Sequence, residues 1–262
     1  MLPEIDVFGL EVKTFGLFFA LNFVAWGALV AVRLRELRKP PDWAWEMVFV
    51  ALVGGFLGAR LYWVAQNWDR ASEDGLFDSL ISGSGLIWYG GLLGGAIAMI
   101  IWAWRRGFLG LQLLDIAGFG LPIGYAIGRI GCQISGDGDY GKPSDLPWAM
   151  AYPDGTVPTT DQVHPTPLYE TMLMGTLGFV LWQLRDHVRP GGLFVLYLIF
   201  GGLERFLIEF LRRNEDAALG LTAAQLESLL LVVAGFVGLW LLERRGGLLL
   251  SRGRSVPRSA TA

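Results

Sequence analysis

The chain is 262 residues long, with 53% aliphatic, aromatic or Cys side chains and only 17% charged ones, where a soluble domain carries about 25%. That balance, with 36 Gly and 11 Trp, argues against an ordinary soluble domain and suits membrane helices, whose small residues let backbones approach closely. The net charge of -3 decides little, because the distribution of charge matters more than its sum, and the single cysteine, Cys132, excludes an internal disulfide.

Residues Met1 to Lys13 carry Glu4, Asp6 and Glu11, where a signal peptide would carry positive charge. The first apolar run is therefore expected to remain in the mature protein as a helix. An apolar stretch of about 20 residues crosses a bilayer core of roughly 30 Å. Seven such stretches follow in order: 14–33, 44–65, 84–104, 111–131, 166–184, 192–211 and 224–243. The expected fold class is an all-α integral membrane protein with about seven transmembrane helices. The fourth stretch holds Asp115, Pro122 and five glycines, and the fifth is short.

Lys and Arg in the connections set the orientation. Arg33, Arg35, Arg38 and Lys39, then Arg105 and Arg106, then Arg185 and Arg189, then five arginines of the tail fall on one side, 13 in all. Lys13, Arg70, Lys142, Arg212 and Arg213 make 5 on the other. The heavier side is cytoplasmic, which puts the N-terminus outside and the C-terminus inside. Residues 1–250 are expected to form a single transmembrane domain, with one long extracytoplasmic loop over about 132–165, rich in Gly, Pro and Asp. The Ser/Arg-rich tail, 251–262, is expected to be a disordered cytoplasmic segment near anionic headgroups.

Three arginines interrupt the apolar runs: Arg60, Arg129 and Arg205, joined by Glu204 and Glu209. A charge at a helix centre costs about 2.5–3.5 kcal/mol on insertion scales, less toward an end. All three arginines fall late in outward-running helices, while Tyr89, His164, Tyr169 and Glu170 fall at the start of inward-running ones. They therefore converge on the outer leaflet. Any one arginine alone is accounted for by snorkelling to the interface. Three at one depth with acidic neighbours point instead to a site with surplus positive charge and an anionic ligand, such as a lipid phosphate. Arg suits phosphate because its planar fork donates two hydrogen bonds at once. Arg205 and Glu209 are four apart and share a helix face.

Three segments stand out. Gly128-Arg129-Ile130-Gly131-Cys132 leads through Gly136, Asp137, Gly138 and Asp139 to Gly141, and its glycines permit tight turns and close approach. His164-Pro165-Thr166-Pro167-Leu168-Tyr169-Glu170 opens the fifth helix, where an acid in the first turn is favoured by the helix dipole. Trp88-Tyr89-Gly90-Gly91-Leu92-Leu93-Gly94-Gly95 is most simply a helix-packing stripe.

In this order, together with Gly58-Ala59-Arg60 and Arg205-Phe206-Leu207-Ile208-Glu209-Phe210, these segments resemble the bacterial phosphatidylglycerol–prolipoprotein diacylglyceryl transferases over nearly the whole chain. The resemblance implies a seven-helix, multi-pass catalytic domain in the bacterial cytoplasmic (inner) membrane, its active site facing the outer leaflet. It implies transfer of a diacylglyceryl group from phosphatidylglycerol to the lipobox cysteine thiol of a prolipoprotein signal-peptide region, releasing glycerol phosphate. By the same resemblance, Arg129 and Arg205 hold the phosphate and Arg60 steers headgroups. Glu209 fixes Arg205, Glu170 fixes another arginine or helix, and His164 and Tyr169 line the mouth. Gly131, Asp137, Asp139 and Gly141 fall in the binding segment.

The chain departs from the family pattern at several positions. Tyr89 stands where the family has His, Cys132 where it has Asn, Asp137 or Asp139 where it has Glu, and Gly201 where it often has Tyr. A neutral phenol is a poor base, so Tyr89 is left as a hydrogen-bond donor or His164 as the base. No metal is expected, since only two histidines exist and His187 falls in a cytoplasmic connection; no cofactor and no nucleic acid are expected either. A paralogue with another acceptor, and a non-catalytic lipid-binding or transport protein, are the competing readings.

Overall fold

The computed structural model describes residues 1–7, 9–69, 72 and 87–250. Among these residues there are seven helices: α1 (Thr14–Glu36), α2 (Trp43–Gln66), α3 (Trp88–Arg105), α4 (Leu111–Ser135), α5 (Thr166–Leu184), α6 (Gly192–Glu209) and α7 (Ala223–Arg244). Each expected apolar stretch coincides with one of them. Residues 84–86 of the third stretch, Arg70 and the tail 251–262 lie outside the described residues. Four helices, α1, α2, α4 and α7, are long and apolar enough to cross a membrane. The fourth stretch is longer than expected: α4 continues past 131 to Ser135 and carries Pro122 inside it, so Gly131 and Cys132 are helical. Three antiparallel hairpins complete the described elements, β1 (Glu4–Val7) with β2 (Leu10–Lys13), β3 (Met150–Tyr152) with β4 (Thr159–Val163), and β5 (Asp216–Ala218) with β6 (Leu221–Thr222).

The chain divides into two compact units, one of residues 27–113 and one of residues 1–26 and 114–262. In the first, α2 and α3 run antiparallel with glycine against glycine. A Cβ added at Gly94 would meet the Gly58 Cα at 2.7 Å, and one at Gly54 would meet the Gly94 carbonyl at 2.8 Å. Such contact is the close backbone approach that small residues permit between apolar helices, and it accounts for the glycine stripe of residues 90–95. At the far end of this pair, Glu46 accepts from Trp102 Nε1 at 2.8 Å and from Arg106 Nη2 at 2.7 Å, beside the edge-to-face rings of Trp43, Trp102 and Phe108.

In the second unit, Gly120 and Gly124 of α4 lie against Trp26 and Asn22 of α1. Gly178 of α5 lies against Ile123, and Gly235 and Gly238 of α7 against Ile199 and Val195 of α6. The start of α6 is fastened to α4 by Asp115, which accepts from the backbone N–H groups of Gly191 at 2.8 Å and Leu193 at 3.0 Å. The first N–H groups of a helix have no partner within it, so a carboxylate from a neighbouring helix satisfies them and complements the positive end of the dipole. This contact sets α4 and α6 parallel, with α5 antiparallel to both. The end of α4, the start of α5 and the end of α6 therefore lie together.

Candidate active site

At that shared end the charged residues of the second unit form one network. Arg129, near the end of α4, has every nitrogen engaged. Nη1 bonds Asp139, Nη2 donates to the Tyr125 hydroxyl at 2.9 Å, and Nε lies 2.9 Å from Glu170 Oε2. Tyr125 in turn donates to Glu170 Oε1 at 2.6 Å and stacks under the Arg129 guanidinium. Arg205 lies 2.7 Å from Glu209 Oε2 through Nη2, so the expected four-residue spacing does produce an ion pair. Arg212, three residues past the end of α6, bonds Asp139 through Nη2 and faces Glu170 through Nη1 at 3.6 Å. Glu209 Oε1 accepts from Asn214 Nδ2 at 2.6 Å and Thr222 Oγ1 at 2.9 Å. Thr222 is also the N-cap of α7, in a capping box with Gln225.

Two features of this network correct the sequence reading. First, there is no surplus of positive charge: Arg129, Arg205 and Arg212 are matched by Asp139, Glu170 and Glu209, with Glu204 in addition. Second, Glu170 is not in the first turn of α5, which begins at Thr166 and has no acid there. It is fully buried and faces three arginines, so its place follows from ion pairing and not from the helix dipole. Free donor capacity does remain. Nη1 of Arg205 and Nη1 of Arg212 are buried, make no hydrogen bond among the described residues, and both face Glu170 at 3.6 Å.

The loop after α4 brings Asp139, not Asp137, to the arginines. Gly136 and Gly138 adopt φ of 59° and 94°, a left-handed backbone that glycine adopts without steric cost. The Asp137 carboxylate accepts from the Asp139 N–H at 3.3 Å, and Thr166 Oγ1 donates to the Asp139 carbonyl at 2.6 Å. Behind the turn, Tyr140 stacks on Tyr152 with centroids 4.9 Å apart, over Val163. Burial pushes the Asp139 carboxyl up, but Arg129 and Arg212 outweigh it and hold the group below the usual carboxylate range. Cys132 is buried, with Sγ 3.7 Å from Arg129 Nη1. Ligand atoms of Cys132, Asp137 and Asp139 lie within 4.8 Å of one another. Both Asp139 oxygens already face guanidiniums, so this donor set belongs to the ion-pair network and does not fit a cation.

His164 and Tyr169 lie on a cleft of about 970 Å³ with Trp148, Met150, Leu168 and Met172. Tyr169 accepts from Trp148 Nε1 at 2.7 Å, and His164 Nδ1 is 3.4 Å from the same hydroxyl. Gly141 links this cleft to the network: its N–H donates to the His164 carbonyl at 2.8 Å, and Arg213 Nε donates to its own carbonyl at 2.9 Å. A Cβ there would meet His164 Cβ at 2.9 Å, so the approach requires glycine. Arg60 and Tyr89 belong to the first unit. Arg60 is buried with its guanidinium 4.9 Å from the Trp63 ring, and Tyr89 is exposed. Tyr125, Arg212 and Thr222 were missed in the sequence. The signal for Arg212 is its place three residues beyond Glu209, though its position in a connection also makes it one of the loop bases.

The family model described as prolipoprotein diacylglyceryl transferase matches residues 4–241. The chain belongs to that family. A phosphatidylglycerol–prolipoprotein diacylglyceryl transferase of Gloeobacter violaceus is 34% identical over 251 residues, covering 92% of each chain. One from Paraburkholderia phymatum is 33% identical with 91% of each chain covered, and one from Clostridium tetani 29% identical with 88% and 93% covered. Membership of the prolipoprotein diacylglyceryl transferase family makes this chain a transferase of lipoprotein biosynthesis with apolar membrane helices.

Proposed function

We propose that this chain transfers the diacylglyceryl group of phosphatidylglycerol to the lipobox cysteine of a prolipoprotein signal-peptide region and releases glycerol phosphate. In this reading residues 1–250 are one catalytic domain with seven spans in the bacterial cytoplasmic membrane. The N-terminus is outside, the C-terminus inside, and the network faces the outer leaflet. The observation that carries the proposal is the pair of buried guanidinium nitrogens, Arg205 Nη1 and Arg212 Nη1, that make no hydrogen bond among the described residues. A buried unsatisfied donor is costly, and a phosphate oxygen would satisfy both.

The proposed chemistry breaks the bond between the terminal glyceryl carbon and the phosphate oxygen and forms a carbon–sulfur bond to the peptide thiolate. Negative charge develops on the departing phosphate, where preorganised donors stabilise it most in a water-poor site. Arg205 and Arg212 act there. Arg129, with all its nitrogens engaged, has the role of holding Asp139, Tyr125 and Glu170 in place, and Glu209 orients Arg205. The thiol, about 8.5 in pKa when free, loses its proton to His164 or to water at the cleft, with Tyr169 and Gly141 fixing that wall. In the first unit, Arg60 attracts headgroups and Tyr89 offers a hydrogen bond.

The test is to incubate purified protein with phosphatidylglycerol and a lipobox peptide, followed by mass spectrometry. A diacylglyceryl adduct on the peptide cysteine with free glycerol phosphate is expected. Turnover of the lipid onto a different acceptor, with none on the peptide, would replace this reading with that of a paralogue.

A further inference from the structure

Glu204 lies in α6 beside Arg205, is 8% exposed, and has both carboxyl oxygens without a hydrogen-bond partner among the described residues. The sequence reading left it without a role. The groups that act on it are Glu170 of α5, Arg129 and Tyr125 of α4, Arg205 and Tyr197 of α6, and Arg212 beyond it. Two residues before Glu204, Gly202 packs on Ser228 and Val232 of α7. The three guanidiniums already have three carboxylates in ion pairs with them. Were Glu204 also ionised, the network would carry one net negative charge, and its partnerless carboxylate would be buried beside Glu170.

We propose that Glu204 stays a neutral acid, holding the network at zero net charge so that an anionic lipid phosphate can enter, and that its ionisation expels the anion. The chemistry favours it: a charge buried without a donor costs far more than a neutral carboxyl. Glu204 is thus a positioning residue, acting on the ligand through Arg205 and Glu170 and not by contact. The inference rests on reading the network as a phosphate site, and not on the identity of the acceptor.

The test is a binding titration of the full chain in detergent micelles with phosphatidylglycerol, using phosphatidylcholine as the zwitterionic control. It runs from neutral pH to about 9.5, below the ordinary range of phenols. The native protein is expected to lose about tenfold in affinity for phosphatidylglycerol over that range. That is the size of one added like charge at roughly 10 Å with an effective dielectric of about 20. Glu204→Gln is expected to bind with no such alkaline loss. Glu204→Met, also neutral, serves where the amide does not fold, and is expected to be flat as well. A merely structural Glu204 would change thermal stability and leave the pH profile as it was. The same alkaline loss in both variants, or none in the native protein, overturns the proposal. So does an equal loss with phosphatidylcholine, or no binding at any pH. Native pH-dependent binding that flattens in the variants, with no adduct on any lipobox peptide, supports the proposal while removing the lipobox cysteine as the acceptor.

Discussion

Arg205 and Arg212 owe their candidate role to geometry that a lysine does not reproduce. Arg212 spans Asp139 with one nitrogen and Glu170 with another, and Lys offers a point charge in place of that fork. Arg212→Lys is expected to lose most of its transfer activity, and Arg205→Ala about 10²–10³ in kcat, as when one preorganised donor is removed. The adduct assay reads both, with melting in detergent as the check on folding. Asp139 gives a pH-dependent test. Its carboxyl is held below the usual range in the folded protein, so its contribution to stability is fully present above the unfolded value of about 3.9. That contribution is lost as pH falls through the depressed folded value. Asp139→Asn is expected to be less stable than the native protein near neutrality, and the gap is expected to narrow in acid. Denaturation midpoints measured from about pH 6 downward check this.

Among the helices, the decisive contact is between α4 and the start of α6. Asp115 lies within an apolar span, where a carboxylate is costly, and it is retained there by three backbone donors, those of Gly191, Leu193 and Phe194. Asp115→Ala leaves those N–H groups unmet and is expected to cost about 1–2 kcal/mol, as for loss of an N-cap. Because the same contact sets the register of α6 against α4, the variant is also expected to lower transfer activity although Asp115 lies at the opposite end of the bundle from Arg129. A lowered melting temperature with unaltered turnover would show that the network keeps its alignment without this tie. Pro122 does not interrupt α4. Gly118 sits directly on the Leu193–Phe194 backbone.

For the whole molecule, the prediction concerns topology. The orientation rests on the bias of Lys and Arg between the two sets of connections, and four of the helices are long and apolar enough to span. Cys132 is the sole cysteine and is buried, so single cysteines introduced elsewhere label with little background. A cysteine at Ser144, in the loop after α4, is expected to react with an impermeant thiol reagent from outside intact cells. One at Asp186, after α5, is expected to react only after the membrane is opened. The reverse pattern would invert the proposed orientation and place the arginine network at the cytoplasmic face.

The positions of the helices were set by the sequence alone, because a long apolar run is a local property: its length and hydrophobicity need no partner to be recognised. The Arg205–Glu209 pair was equally local, since a helix brings residues four apart onto one face. The glycine stripe of residues 90–95 announced helix packing for the same reason, though its partners, Gly54 and Gly58, emerged only with α2 in place. The charge balance of the site was decided by tertiary structure. Asp139 was chosen over Asp137 by the left-handed turns at Gly136 and Gly138 and by the hold of Thr166 on the Asp139 backbone. Arg212 joined the network because the chain turns back after α6. Glu204, buried in α6, has no hydrogen-bond donor among the described residues, which its position in the sequence does not show. The energy of an ion pair depends on distance and burial across elements far apart in sequence, and linear spacing carries neither quantity.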